Sequence, residues 1–340
     1  MALLDRIVFL QLSDVHIGRK LMNDPDDFET GLKSGYNPHD HRLLLPLENA
    51  IKDACRTLSA GQHVNVLISG DLTAAGTDND YAASFALVHN KWLWKRVPKR
   101  TIGFGWPPER TFSVPGNHDH WRKEKWPPPA FSFEIAPAWF ENTPWMRPLV
   151  GGGSRLVLEL YGVDSNSGLR GRTFNMNPFA EGAISLDELS ELERKLQNSI
   201  GQDLSKGQIL IRAIVCHHAF SGKGGLFAAK PLDDGSRNEL VRLALKYNVS
   251  VILTGHVHTF HEEDWPKGDK VTRKVKELRC ATSLQGPARA GVQGFWAHSI
   301  TLSETDSTLD CRWSASKYQW GGGFFDLDSA GTVNIVPPRA

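Results

Sequence analysis

Five short motifs in this chain carry chemistry, and each closes an apolar run. They are Asp14-Val15-His16, Gly70-Asp71, Gly116-Asn117-His118-Asp119, His217-His218 and Gly255-His256-Val257-His258. Two carboxylates, one amide oxygen and several imidazoles suit two divalent metals of borderline character. A carboxylate such as Asp71 has two oxygens and can bridge both ions. Two metals roughly 3.5–4 Å apart clamp an in-line displacement at phosphorus and lower the pKa of a water held between them. Glycine before Asp71, Asn117 and His256 lets the backbone turn sharply or pack closely at such a site. Taken singly the motifs are weak, since Gly-Asp is an ordinary turn and Asp-x-His arises often by chance. Gly-His-x-His is stronger, because alternation puts both rings on one side of an extended segment. Gly-Asn-His-Asp is expected by composition roughly once per thousand chains of this length. The ordered conjunction of all five makes coincidence improbable.

The elements that position them follow from the same runs. Ile7–Leu12, Val64–Ser69, Thr111–Val114, Ile209–Cys216 and Val249–Thr254 are continuously apolar, which predicts strands buried on both faces. In open α/β sheets ligands bind beyond the carboxyl ends of strands, which is where the motifs stand. Helical spacing runs from Leu43 to Leu58. Ser185…Glu188 and Ser236…Glu239 read as capping boxes opening two more helices. Alternating strands and helices predict an α/β fold. From about Val275 to Trp313 successive strands predict a second sheet packed on the first. Residues 313–340, with Gly321-Gly322-Gly323 and little periodicity, read as a tail that wraps the body or is partly loose.

Composition narrows the class of function. The chain has 340 residues, 40% hydrophobic and 23% charged, with a formal net charge of +1. Those values argue against disorder and against a strongly basic nucleic-acid binder at the whole-chain level, leaving nucleic acid a partner that is possible but not favoured, and no apolar run reaches the length of a membrane helix. The apolar N-terminal run is too short for a secretory signal and reads as a first strand. Cys55, Cys216, Cys280 and Cys311 form no C-x-x-C pair and read as reduced thiols of a cytoplasmic protein. Residues 92–148 hold seven of the 11 Trp and 10 of the 19 Pro, and nine basic against five acidic residues give them +4. Insertions at about 90–110 and 121–149 are expected to form a cap flanking the Asn117 motif, steering anionic substrate. Its rings either stack substrate or pack the cap onto the body. His39, His41, His63, His89, His261 and His298 read as surface or packing residues, and His120 as a neighbour of the site. Arg170 and Arg172 read as a solvated loop.

The motif order from Asp14 to His258, about three quarters of the chain, resembles the calcineurin-like metallophosphoesterase superfamily. Asp119 after His118, the Gly162-Val163-Asp164-Ser165 turn and the helix before the His217 strand resemble its class III cyclic-nucleotide phosphodiesterase group. The resemblance implies an α/β four-layer α/β/β/α sandwich, two mixed β-sheets packed face to face with flanking helices, over residues 1–312. It implies two transition-metal ions (Mn, Fe or Zn). Asp14, His16, Asp71 and His258 would hold one. Asp71, Asn117, His217 and His256 would hold the other. His217 takes this place because the family ligand ends the strand. His218 is the alternative, since Ala219 stands where the family often has Pro. His118 would sit over the phosphate and protonate the leaving oxygen, with Asp119 orienting it and holding it protonated. The activity implied is phosphodiester hydrolysis, a bridging hydroxide attacking phosphorus in line, on a small-molecule phosphate ester such as a cyclic nucleotide. The rivals are a nuclease or a nucleotide or lipid-precursor pyrophosphate hydrolase, with a non-catalytic scaffold as the remote case.

Overall fold

Strands apolar on both faces need cover on both, and two sheets flanked by helices supply it. The computed structural model describes residues 2–17, 43–59, 64–89, 92–94, 100–121, 139–170, 181–200, 208–222, 229–268, 272–284, 292–305 and 308–335. The first sheet is built on three parallel strands, β1 (Ala2–Leu12), β2 (Asn65–Ser69) and β5 (Thr111–Val114). Between them lie helices α1 (Leu44–Ser59) and α2 (Asp78–Val88) and a small hairpin, β3 (Trp92–Trp94) with β4 (Arg100–Ile102). The second sheet centres on parallel β7 (Leu156–Gly162), β8 (Ile209–Val215), β9 (Val249–Thr254) and β11 (Val275–Arg279). Antiparallel β6 (Trp145–Val150) and β10 (His261–Trp265) form its edges. Helices α3 (Leu186–Ile200) and α4 (Asp234–Lys246) are its crossovers.

Alternate side chains of each strand enter alternate layers. Phe9, Leu67 and Val114 of the first sheet meet Leu158, Val215 and Leu253 of the second in the central core. Leu10, Leu12 and Ile68 turn outward under Leu44, Leu47 and Ile51 of α1. Tyr161, Ile214 and Ile252 lie under Leu192 and Leu196 of α3 and Leu240 and Leu243 of α4. The expected α/β/β/α sandwich is therefore present.

One polar chain crosses the central core. Gln11 Nε2 donates to Ser69 Oγ and to the Thr254 carbonyl, both at 3.1 Å. His298 Nε2 lies 3.2 Å from Gln11 Oε1, and Trp313 Nε1 donates to His298 Nδ1 at 3.1 Å. Burial pushes His298 down to about 3, so the ring is neutral and its two nitrogens take opposite roles.

Three expectations are corrected. Residues after Val275 do not make a sheet of their own. β11 completes the second sheet, while β12 (Gly294–Thr305), β13 (Thr308–Trp320) and β14 (Phe325–Ile335) extend the first in the order β14-β13-β12-β1-β2-β5. The expected tail is thus sheet through Ile335, with Trp313 fully buried. Ser236…Glu239 does not open α4. Asp233 caps it, its carboxylate accepting from Ser236 N at 3.0 Å. At α3 the box is half made: Ser185 Oγ accepts from Glu188 N, but the Glu188 carboxylate reaches Asp164 N instead.

Candidate metal centre

The carboxyl ends of β1, β2, β5, β8 and β9 converge at one end of the sandwich. Asp14 and His16 follow β1, Asp71 follows β2, Asn117 follows β5, His217 follows β8, and His256 and His258 follow β9. Backbone bonds zip these turns together: Asp14 N to Gly70 O at 3.1 Å, His16 N to Asp71 O at 3.0 Å, Gly255 N to His217 O at 2.9 Å. The two sheets are tied at the site itself, where His256 N donates to Asp14 Oδ2 at 3.0 Å.

Strain collects here. Asp14, His16, Asp71, His256 and His258 all have φ between +51° and +71°. Such conformations cost of order 1–3 kcal/mol each and mark functional sites. The glycines act by close approach. A Cβ on Gly70 (φ +93°) would run into the His217 ring, and one on Gly116 into the Asp71 carboxylate.

The donor atoms gather in three overlapping trios, Asp14-His16-His258, His16-Asp71-His118 and Asp14-Asp71-His217, which can be divided into two groups about Asp71. In one, Asp14 Oδ1 lies 3.0 Å from His258 Nε2 and 3.7 Å from His16 Nε2, itself 3.7 Å from Asp71 Oδ2. In the other, His217 Nε2 lies 3.4 Å from Asp71 Oδ2 and 3.2 Å from both Asn117 Oδ1 and His256 Nδ1. Atoms bound at about 2.0–2.1 Å to one ion sit about 3.0–3.4 Å apart, which the Asp14–His258 distance and those about His217 match, while the two at His16 are wider at 3.7 Å. Two imidazole nitrogens facing each other at 3.2 Å fit metal ligation as well, since a proton or a cation must lie between them. Asp14, His16, Asp71, Asn117, His217 and His256 are buried, and the His258 side chain is 33% exposed, so solvent enters from its side.

The electrostatics agree. Burial raises Asp71, but the His217 and His118 rings outweigh it and hold the carboxyl well below its usual range. Burial lowers His217, but Asp71 and then Asp14 outweigh it and hold the ring at about 9. Burial, then His218 and His217, drives His256 well down.

His217 and His218 part company. His217 Nδ1 is anchored on the Ser69 carbonyl at 2.9 Å, aiming Nε2 into the cluster. His218 lies behind it, its Nδ1 2.7 Å from Ser165 Oγ. His118 stands beside the cluster with Nε2 3.8 Å from Asp71 Oδ2.

Asp119 is not placed as expected. Its carboxylate accepts from the backbone N–H groups of Leu72, Thr73 and Gly116 and from Thr73 Oγ1. It ties the β5 turn to the β2 turn. The acceptor on His118 Nδ1 is instead the Ala74 carbonyl, at 2.8 Å. Burial sends His118 down to about 3, so Asp119 does not hold the ring protonated in the substrate-free protein. His120 pairs with Asp164 after β7 at 3.4 Å, both buried.

The described rings of the Trp-rich stretch lie in several different places. Trp145 belongs to β6 and is buried in the central core, and Trp106 packs in the layer under α1. Trp139 stacks on Tyr81 at 5.5 Å. Trp121 lies against His118 with ring centroids 3.5 Å apart. Trp126 and the Trp92 and Trp94 side chains lie outside the described residues, as does Arg172, and Arg170 is exposed. The Ala74 and Ser69 acceptors carry no sequence signal, since any residue offers a carbonyl. Trp121 had one: its place three residues beyond His118.

The sandwich and its mixed His, Asp and Asn donors define a candidate metallohydrolase. The chain belongs to the calcineurin-like phosphoesterase family, whose model matches residues 7–260. Membership implies a metal-dependent hydrolase of phosphate esters. No curated protein matches the chain. Among solved structures it is similar to GAP50, "the anchor in the inner membrane complex of Plasmodium", at 10% identity and a TM-score of 0.51, covering 98% of this chain and 90% of that one. Purple acid phosphatase PPD1 from yellow lupin seeds is 13% identical with a TM-score of 0.48, over 97% of this chain and 54% of that one. At 10% identity the likeness to GAP50 speaks to the fold alone. Among the described residues no helix is long and apolar enough to cross a membrane.

Proposed function

We propose that this protein is a dinuclear-metal phosphodiesterase. The observation that carries the reading is the pair of donor groups sharing Asp71. Asp14, His16, Asp71 and His258 would hold one ion, and Asp71, Asn117, His217 and His256 the other. When bound, such ions stabilise charge on the phosphoryl oxygens and activate water near neutral pH. The remaining chemistry belongs to His118. With Nδ1–H on the Ala74 carbonyl, Nε2 is the atom facing the cluster. An anionic phosphate beside that atom favours the protonated ring, offsetting the effect of burial. Nε2 then hands its proton to the departing oxygen. The preference for diesters rests on the resemblance of the Asp119, Asp164 and α3 features to the class III group.

A substrate panel on Mn²⁺-reconstituted protein tests this. It contains bis(p-nitrophenyl) phosphate, p-nitrophenyl phosphate, cyclic nucleotides, a glycerophosphodiester, a nucleoside diphosphate ester and single-stranded DNA. Diester turnover is expected, and for the diesters that release an alkoxide it falls about 10²–10⁴-fold in His118→Ala. Monoester preference overturns the diester assignment and makes the chain a phosphatase. No turnover together with no bound metal makes it a scaffold.

A further inference from the structure

We propose that Trp121 is a positioning residue that sets the plane of the His118 ring for proton transfer to the leaving group. The inference rests on the phosphodiesterase reading above. The Asp119 carboxylate is engaged by four donors of the β2 and β5 turns. The Ala74 carbonyl fixes the position of Nδ1. That hydrogen bond holds one corner of the imidazole, and among the described residues two aromatic rings bear on its tilt. The indole of Trp121 covers one side, centroids 3.5 Å apart and planes inclined by 32°. The His16 ring meets His118 edge-on, at 4.4 Å and 78°.

The local backbone brings Trp121 there. His118–His120 form a single 3₁₀ turn, and Trp121 N donates to the His118 carbonyl at 3.2 Å. Three residues per turn make side chains i and i+3 eclipse, so the fourth residue stands over the first. The turn is fixed on two further sides, by Tyr81 Oη donating to the Asp119 carbonyl at 2.6 Å and by the His120–Asp164 pair. Trp121 is only 6% exposed. A buried ring offers substrate no stacking platform, so it acts through His118.

The consequence is selective. In diester hydrolysis the water oxygen bonds to phosphorus. The P–O bond to the leaving group breaks with its electron pair, and the departing oxygen takes the Nε2 proton. The proton shed by the water restores His118 through solvent. An alkoxide needs that proton on departure, whereas p-nitrophenolate departs as a stable anion. A mis-tilted donor therefore slows only the first.

The test compares wild type, Trp121→Ala and Trp121→Phe, all zinc-loaded, on a glycerophosphodiester and bis(p-nitrophenyl) phosphate. Bound zinc is measured alongside. Expected for Trp121→Ala is full zinc content, an unchanged KM, a kcat on the glycerophosphodiester lower by about 10-fold or more, and near wild-type kcat on the nitrophenyl ester. Trp121→Phe restores most of the loss and serves as the folded comparison. The His118 ring protons, assigned by their absence in His118→Ala, are expected upfield in wild type and Trp121→Phe and shifted in Trp121→Ala. Equal losses on both substrates, no loss on either, or unshifted ring protons overturn the role of Trp121 alone. A wild-type protein that hydrolyses neither diester overturns the phosphodiesterase reading, and the role given to Trp121 falls with it.

Discussion

Asp71 is the residue on which both donor groups depend, and His217 is the one whose charge state reports it. In the metal-free chain His217 is held at about 9 by Asp71 and Asp14 against the effect of burial. A ligand to metal must be neutral, so metal displaces a proton where the ring is charged. Nδ1 already faces the Ser69 carbonyl, so the displaced proton is the one on Nε2. At pH 7 zinc uptake is therefore expected to release about one proton from this ring, and affinity to rise with pH up to about 9. Calorimetric titration in buffers of different ionisation heat measures the release, and a value of zero would remove His217 from the ligand set. The ligand candidates were legible because Asp, Asn and His at strand ends are conspicuous against apolar runs. The choice of His217 over His218 was not written in composition. The structure supports it by turning His217 onto the Ser69 carbonyl and His218 onto Ser165. The acceptor for His118 was illegible for the same reason, being a backbone carbonyl in a turn distant in sequence.

At the scale of elements, buried parallel strands were the easiest to read and edge strands the hardest. β9 is buried along its whole length and announces itself as an apolar run. From Trp313 on, β13 mixes buried and half-buried positions with Ser, Lys and Gln on its open side, and β14 closes the sheet edge behind three glycines. Residues 313–340 therefore offer a sequence reading little periodicity. The distinction between sheet and tail is measurable. Phe325 packs in the layer under α1 and Val333 in the central core. Losing two such side chains removes roughly 3–6 kcal/mol. An exposed β13 edge is in addition a template for pairing with another chain. Deleting residues 321–340 is expected to lower the melting temperature and promote self-association, seen by calorimetry and light scattering. A tail would be removed with neither effect.

At the scale of the whole molecule, the candidate metal centre is also a joint. Asp14, His16, Asp71 and Asn117 come from the first sheet, and His217, His256 and His258 from the second. Between the sheets below them lie an apolar core and the Gln11 bridge to Ser69 and Thr254. The five strained backbone positions are tolerated because both sheets hold them. A ligand that binds only the folded chain stabilises it by about 4 kcal/mol at 1,000 times its dissociation constant. Ions bridging the two sheets bind nothing comparable in the unfolded chain, where the donors are spread from position 14 to position 258. For domains of this order each kcal/mol moves the midpoint by roughly 2 °C. Chelation is therefore expected to lower the melting temperature by roughly 8 °C relative to protein in excess zinc. Asp71→Asn, which weakens both donor groups at once, is expected to abolish most of that difference. Trp139→Ala, on the flank beside Tyr81, is expected to leave it intact. A melting temperature indifferent to metal in the wild-type chain would mean that the seven donors do not ligate across the sheets.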